Sequence, residues 1–247
     1  MEPLFELLVI IVLAGLLSIL AEYLGLLTFD GAAASLVIGL IIGLFGSVDW
    51  LLVLIIFTGL GFAATMVGLA RKRAKGLQEG LYGERMYKNV VAVGFVPCVL
   101  AVICSFIGGE HGEYYKIMSI AYIASIAVAA ADTIASEVGV KDKRVWMITT
   151  FKRVEPGVDG GVSVMGTGVA IAASFITTAI GWLLIFGREI DLLLFLVPAL
   201  AGVAGCLADS VVGATLETKG YVSKYTNNAM TALFGALLAL AAYTLFF

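Results

Sequence analysis

The chain has 247 residues, of which 61% are hydrophobic and 13% are charged, with a formal net charge of −3 and a mean hydropathy of +1.06. Soluble globular proteins contain roughly 45–50% apolar and about 25% charged residues. The composition therefore indicates an integral membrane protein and excludes a soluble domain, a nucleic-acid-binding protein and a disulfide-rich scaffold. The three cysteines lie in apolar stretches without a C-x-x-C pair, so neither a zinc site nor a redox pair is expected.

Eight apolar stretches approach the length that a membrane-spanning helix needs, about 20 residues. The sequence predicts an all-α, polytopic transmembrane bundle of about eight helices, forming a single membrane domain over residues 1–247. In chain order the predicted helices are 3–21, 30–46, 49–70, 89–108, 115–138, 162–186, 191–216 and 228–247. Because no connection is long enough to fold as a soluble domain, any chemistry must take place within the membrane or at its surface.

The basic residues are distributed unevenly between the two sides of this bundle. With eight helices, the first, third, fifth and seventh connections share one face, and they hold thirteen of the fifteen Lys and Arg residues. Cytoplasmic loops of membrane proteins carry such an excess. The bias predicts that this face is cytoplasmic and that both termini lie outside. The first connection contains neither Lys nor Arg, so its side follows from the number of helices alone.

Two aspartates interrupt apolar stretches, at a cost of about 2.5–3.5 kcal/mol for an acidic side chain at mid-bilayer. Asp132 is six residues from the predicted end of the fifth helix and Asp209 seven from the end of the seventh, which places them about 9 and 10 Å deep. We therefore expect two carboxylates at similar depth below the same surface. The alternative is that each caps a neighbouring helix or pairs with a basic residue.

Such a pair of carboxylates could bind Mg²⁺, which prefers a few carboxylates together with substrate phosphates. Ser136 and Glu137 follow Asp132 by four and five residues, on roughly the same helical face. Glu137 is closer to the surface and is a candidate third metal ligand or a base.

The connection 151–163 reads Phe-Lys-Arg-Val-Glu-Pro-Gly-Val-Asp-Gly-Gly-Val-Ser. Its glycines allow a close approach of backbone to phosphate, and Lys152 and Arg153 supply positive charge. Gly160 and Gly161 lead directly into the sixth helix, whose N-terminus attracts anions. Ser163 is a candidate helix cap or phosphate ligand. The alternative interpretation is a Gly-Pro turn with topology-determining basic residues.

Basic residues also follow the third predicted helix, at 71–75, where anionic headgroups or membrane topology are a sufficient explanation. Asn89, with Arg85 and Lys88, lies at the start of the fourth predicted helix, where it could reach a phosphate.

Four short motifs carry a family resemblance. They are Asp132-Thr-x-x-Ser-Glu-x-Gly139, Thr149-Thr-Phe-Lys152, Pro156-Gly-x-x-Gly-Gly-Val-Ser163 and Asp209-Ser-x-x-Gly-Ala214. In order and spacing, over most of the chain, they resemble the membrane family that includes the chloroplast phytyl-phosphate kinase of tocopherol synthesis. More distantly the chain resembles phytol and dolichol kinases and the CDP-diacylglycerol and CDP-archaeol synthases.

This resemblance implies metal-dependent phosphoryl or nucleotidyl transfer from CTP, or another nucleoside triphosphate, to a lipid. By the same resemblance Asp132 and Asp209 match metal-binding acids. Together with Glu137, the candidate from its position after Asp132, they are the predicted Mg²⁺ ligands and, with Lys152, the predicted catalytic residues. The predicted nucleotide contacts are Lys152, Arg153, Gly157, Asp159, Gly160, Gly161, Ser163, Ser136, Ser210 and Asn89.

Three functions remain open from the sequence. The first is an isoprenoid monophosphate kinase at the cytoplasmic face of the cell membrane, with a membrane lipid phosphate and a nucleotide as partners. The second is a lipid cytidylyltransferase, which is disfavoured because the Ser-Pro-Lys-Lys-Thr-type segment of those enzymes is missing. The third is an ion- or proton-coupled transporter, since buried acids also serve transport. A homodimer is plausible for a bundle of this size.

Overall fold

The computed structural model describes residues 3–74, 83–107 and 112–247. The basic side chains at 71–75, discussed above, lie outside its described part. Within these ranges it confirms an all-α polytopic bundle of eight helices, with bounds close to those predicted. The helices are α1 Pro3–Tyr23, α2 Phe29–Phe45, α3 Val48–Ala74, α4 Tyr87–Ile107, α5 Glu113–Gly139, α6 Val164–Ile185, α7 Leu192–Val212 and α8 Lys224–Phe246.

Seven of the helices in the described ranges are long and apolar enough to cross a membrane. The remaining helix, α2, has 17 residues. Its length is therefore about 26 Å, close to the hydrocarbon thickness of a bilayer. The chain is therefore an integral, multi-pass membrane protein.

Two features of the connections were not predicted from the sequence. The connection between α5 and α6 forms a small antiparallel sheet of order β2-β1-β3, built from β1 Val145–Met147, β2 Arg153–Val154 and β3 Gly161–Val162. Helix α7 continues into a π-helical turn, Gly213–Glu217. Both features border the site described below, and π-helical turns are frequent at functional sites.

The four odd-numbered connections meet at one face of the bundle. Two backbone hydrogen bonds join the first and third connections. Arg85 N donates to the Leu26 carbonyl at 3.0 Å, and Thr28 N donates to the Arg85 carbonyl at 3.2 Å. The fifth and seventh approach each other where Gly160 meets Ala214. At the opposite face, Tyr243 near the end of α8 donates a hydrogen bond to Glu113 at the start of α5. These contacts confirm the alternation assumed for eight helices, whereas the side of the membrane on which this face lies stays a prediction.

Helix α5 lies at the centre of the bundle and packs against α3, α4, α6, α7 and α8. All of residues 120–128 are buried. The neighbouring helices approach closely because they present glycines to α5: Gly181 meets Ile123, Gly202 meets Ala127, and Gly205 and Gly235 meet Val128. Small residues at helix contacts are the usual means of close packing in membranes. The glycines thus bring α7, with Asp209, against α5, with Asp132.

Replacing Gly205 by Ala is expected to destabilise the bundle, because the added methyl group collides with the Val128 side chain. Overpacking of this kind costs about 1–3 kcal/mol, measurable as a lower midpoint of thermal unfolding in detergent. Gly168→Ala on α6 is the matched control, because nothing lies within 4 Å of its added methyl group. Equal unfolding midpoints for the two variants would contradict the proposed packing of α7 on α5.

Candidate functional site

A cavity of about 310 Å³ lies at the face where the four odd-numbered connections meet. The C-terminal ends of α5 and α7, the start of α6 and the start of α8 surround it, and the connection 157–163 covers one side. Nine of the residues predicted from the sequence line this cavity: Asp132, Ser136, Gly157, Asp159, Gly160, Gly161, Ser163, Asp209 and Ser210.

Asp132 and Asp209 meet inside the cavity, as their matching depths predict. The two carboxyl groups are within hydrogen-bonding distance of each other, and both side chains are half-buried. The hydroxyl of Thr231 in α8 lies 3.5 Å from Asp209 Oδ1. Asn227 Nδ2, also in α8, donates to the Asp209 backbone carbonyl at 3.2 Å. Helix α8 therefore fixes the orientation of α7 at the level of its aspartate.

The sequence analysis missed four polar residues that line the cavity: Thr167, Glu217, Lys224 and Asn228. The buried Asn227, which was also missed, donates through Nδ2 to Glu217 Oε2 at 3.2 Å. Glu217 lies at the end of the π-helical turn, close enough to Asp132 and Asp159 for mutual repulsion, with Lys224 as a nearby positive charge. The sequence signal was the acidic end of the segment that begins at Asp209. A π-helical turn changes the helical register, so regular α-helical spacing does not place Glu217 correctly.

The glycine-rich connection reaches the cavity by a close backbone contact. Gly160 has a φ of +77°, in the left-handed region that favours glycine, and its Cα lies against Ala214 in the π-helical turn. Gly161 pairs with Met147 in the sheet, which anchors the connection on its other side. Ser163 caps α6 by accepting a hydrogen bond from Gly166 N at 3.0 Å. The cap interpretation of Ser163 is thus confirmed, and Ser163 also lines the cavity.

Lys152 and Arg153 are not brought to the cavity, contrary to expectation. Both side chains are exposed, and the Arg153 guanidinium lies over the Trp146 ring at 5.9 Å. The reason is the strand order: β2 and β3 flank β1, so two strand spacings, about 10 Å, separate Arg153 from β3, the strand that holds Gly161. Lys224 is the lysine that lines the cavity.

Glu137 is also directed away from Asp132. A separation of five residues turns a side chain by about 140° around an α-helix, which points Glu137 towards α3. There Glu137 is buried, with 5% of its side chain exposed, and the Thr65 hydroxyl donates a hydrogen bond to its Oε1 at 3.2 Å. Arg85 Nη2 donates to the same Thr65 hydroxyl at 3.4 Å. Glu137 therefore ties α5 to α3 and to the third connection, and the expected three-acid set with Asp132 and Asp209 is corrected to a pair.

Asn89 likewise lies outside the cavity lining. It is buried near the start of α4, and within the described ranges its side-chain nitrogen has no hydrogen-bond partner.

The donor set of the cavity fits a hard cation of the Mg²⁺ type. Within the described part of the chain, no three His, Cys, Asp or Glu side chains are arranged to hold one metal ion. Mg²⁺ does not require three, because it commonly takes one or two carboxylates and completes its shell with water and phosphate oxygens. Asp132 and Asp209 supply such a pair. Their mutual repulsion in a low-dielectric setting would be relieved by a bound cation.

Comparison with known proteins places the chain in a family. The family model described as "Integral membrane protein DUF92" matches residues 12–240. The chain belongs to the DUF92 family of integral membrane proteins. This membership agrees with the resemblance that the four motifs carry.

Curated relatives of this DUF92 protein come from archaea, cyanobacteria and plants. An uncharacterized membrane protein of Methanocaldococcus jannaschii is 34% identical over 244 residues, covering 98% of this chain and 97% of the relative. The chloroplastic protein VTE6 of Arabidopsis thaliana is 31% identical over 206 residues, covering 82% of this chain and 60% of the relative. An uncharacterized membrane protein of Synechocystis is 31% identical over 222 residues, covering 87% of this chain and 82% of the relative. No solved structure matches the chain.

Replacing Gly160 by Ala is expected to separate the glycine-rich connection from the π-helical turn, because the added methyl group collides with Ala214. Gly187 is the matched control, since it has the same φ of +77° with nothing within 4 Å of an added methyl group. Both variants carry a left-handed strain of about 1–2 kcal/mol, so the difference between their unfolding midpoints isolates the collision. We expect Gly160→Ala to unfold at the lower temperature; equal midpoints would contradict the contact.

Proposed function

We propose that this DUF92 protein is a membrane isoprenoid monophosphate kinase. It would transfer the γ-phosphoryl group of CTP, or of another nucleoside triphosphate, to the phosphate of a prenyl- or phytyl-type lipid. The products would be the lipid diphosphate and the nucleoside diphosphate. The positive-inside bias supports a reaction at the cytoplasmic face of the cell membrane.

The observation that supports this proposal best is the pairing of two carboxylates beneath a glycine-rich connection in one cavity. The aspartates are suited to a cation, and the glycines and the start of α6 are suited to a phosphate. A cavity at one end of a membrane bundle admits a water-soluble nucleotide from one side and a lipid from the other. Family membership adds weight, because three of the four motifs that carry the resemblance contribute residues to the cavity.

Asp132 and Asp209 would hold Mg²⁺, and Glu217 lines the same cavity. When bound, the metal would neutralise charge on the transferred phosphoryl group, as in other phosphotransferases. The chain's own residues do the positioning: Lys224 supplies a positive charge at the cavity, and Gly160 and Gly161 expose backbone to the phosphates. Ser163 and the first turn of α6 direct N–H and O–H donors to the same region. Lys152 and Arg153, on the exposed edge of the sheet, are proposed to contact the outer part of the nucleotide.

A phosphate acceptor explains why the cavity does not need a general base. The attacking atom is an oxygen of a lipid monophosphate, which is already ionised at neutral pH. An alcohol acceptor would instead require a residue to remove its proton. Glu137, the base predicted from the sequence, faces α3 and is buried, which is compatible with a phosphate acceptor.

Replacing Asp132 or Asp209 by Asn is expected to lower kcat by about a hundredfold or more, because several kcal/mol of charge stabilisation depend on the metal. The Asn side chain has nearly the same shape and removes the repulsion between the carboxylates, so the unfolding midpoint without Mg²⁺ is expected to be unchanged or higher. The rise in that midpoint on adding Mg²⁺ is expected to disappear.

Asp142→Asn is the matched control. Asp142 lies in the connection between α5 and α6 and does not line the cavity. It accepts a hydrogen bond from Arg144 N at 2.9 Å, which an Asn side chain can also accept. It is expected to keep both turnover and the response to Mg²⁺. Turnover close to wild type in Asp132→Asn or Asp209→Asn would remove that residue from the proposed mechanism.

A further inference from the structure

The cavity is amphipathic along its depth. Its glycine-rich cover lies nearest the membrane surface and its carboxylates lie below that cover, whereas its deeper, apolar wall is formed by Ala170, Val203 and Leu207. Val203 precedes Asp209 by six residues, which places it about 9 Å further into the membrane. Ala170 follows Ser163 by seven residues and packs near the level of the aspartates, against Ala131 and Cys206. A ligand that fills the cavity therefore meets polar groups at one end and apolar groups at the other.

The deeper wall reaches the outer surface of the bundle between α6 and α7. Leu207 lines the cavity, yet 39% of its side chain is exposed on the outside of α7. Leu200 and Val211, seven residues before and four after it, are also exposed and share its helical face. In a membrane this face meets lipid, so a single leucine side chain borders both the cavity and the lipid.

Hydrogen bonds close the other sides of this opening. Deeper in the membrane, Ser174 of α6 donates to the Ala199 carbonyl of α7 at 2.6 Å, which joins the two helices below Ala170 and Val203. On the side of α8, Asn227 and Thr231 join that helix to α7 near Asp209. The gap between α6 and α7 is thus bounded below by Ser174 and above by the start of α6.

The volume of the cavity restricts what it can enclose. About 310 Å³ is at the lower end of the range for small-ligand sites. Phosphate groups fit such a space, but a long isoprenoid chain does not fit beside them. A long apolar tail must therefore extend out of the cavity, and Leu207, which borders both the cavity and the lipid-facing surface of α7, marks an apolar exit between α6 and α7.

We infer that the acceptor lipid binds with its phosphate beside Asp132 and Asp209 and its apolar tail passing between α6 and α7 at Leu207. The inference rests on the proposed function for the identity of the acceptor. This region then determines tail selectivity: Ala170 and Val203 contact the first isoprene unit, Leu207 contacts the units that follow it, and the remainder of the tail lies in the bilayer.

Photolabelling tests the binding path without requiring turnover. The protein in nanodiscs is irradiated with a C20 prenyl monophosphate that carries a diazirine on its first isoprene unit, and the labelled peptides are mapped. We expect label on α6 around 167–170 and on α7 around 203–207, and we expect unlabelled C20 prenyl monophosphate to compete it away. Label spread over the lipid-facing helices without competition would overturn the inference. Competed label in these segments, in a protein that transfers no phosphoryl group, would support the binding path and reject the proposed function.

A bulky variant then tests the gap by chain length. Leu207→Trp is expected to raise KM for the C20 monophosphate roughly tenfold, about 1.4 kcal/mol, with little change in kcat. KM for a C5 prenyl monophosphate is expected to stay at the wild-type value, because its short tail remains inside the cavity. Ile171→Trp is the matched control, since Ile171 is 43% exposed on α6 next to Ala170 but does not line the cavity. Equal increases in KM for both substrates, or an equal effect of Ile171→Trp, would overturn the inference.

Discussion

The architecture depends on holding two aspartate carboxylates side by side within a membrane bundle. Like charges at this separation repel strongly where water is scarce, so the fold must supply both close packing and compensation. Glycines at 202, 205 and 235 provide the packing, because they let α7 and α8 approach the central helix α5. Asn227, Thr231 and Lys224 provide polar partners and positive charge around Asp209. A cation held by Asp132 and Asp209, as proposed, would complete this compensation.

The second constraint is that a site assembled from several helix ends needs those ends to be in register. Backbone hydrogen bonds to Arg85 join the first and third connections, and the contact of Gly160 with Ala214 joins the fifth and seventh. Glu137 connects these two halves through Thr65 and Arg85. Its side chain acts on the opposite face of α5 from Asp132, so it holds the helix that presents the aspartate without touching the cavity.

Much of this arrangement could be predicted from the sequence. Hydropathy identified the eight helices to within a few residues, since a spanning helix must be continuous and apolar. The cost of a buried acid identified Asp132 and Asp209, and glycine spacing identified the cover of the cavity. The small sheet could not be predicted, because two strands of two residues leave no periodic pattern. That sheet displaces Lys152 and Arg153. The π-helical turn brings Glu217 to the cavity. Asn227 is buried beside Glu217 by tertiary packing, which the local sequence pattern does not reveal.

The proposed reaction is transfer of a γ-phosphoryl group to a lipid phosphate in this cavity. It is tested most directly by incubating the purified protein with Mg²⁺, a C20 prenyl monophosphate and CTP, labelled in parallel reactions at the γ- and α-phosphates. The account predicts that label from the γ-phosphate enters the lipid and that label from the α-phosphate does not, with other nucleoside triphosphates tested in the same way. Transfer of the α-label would instead establish nucleotidyl transfer. No transfer from any nucleotide, together with ion- or proton-coupled uptake in proteoliposomes, would contradict the enzymatic account.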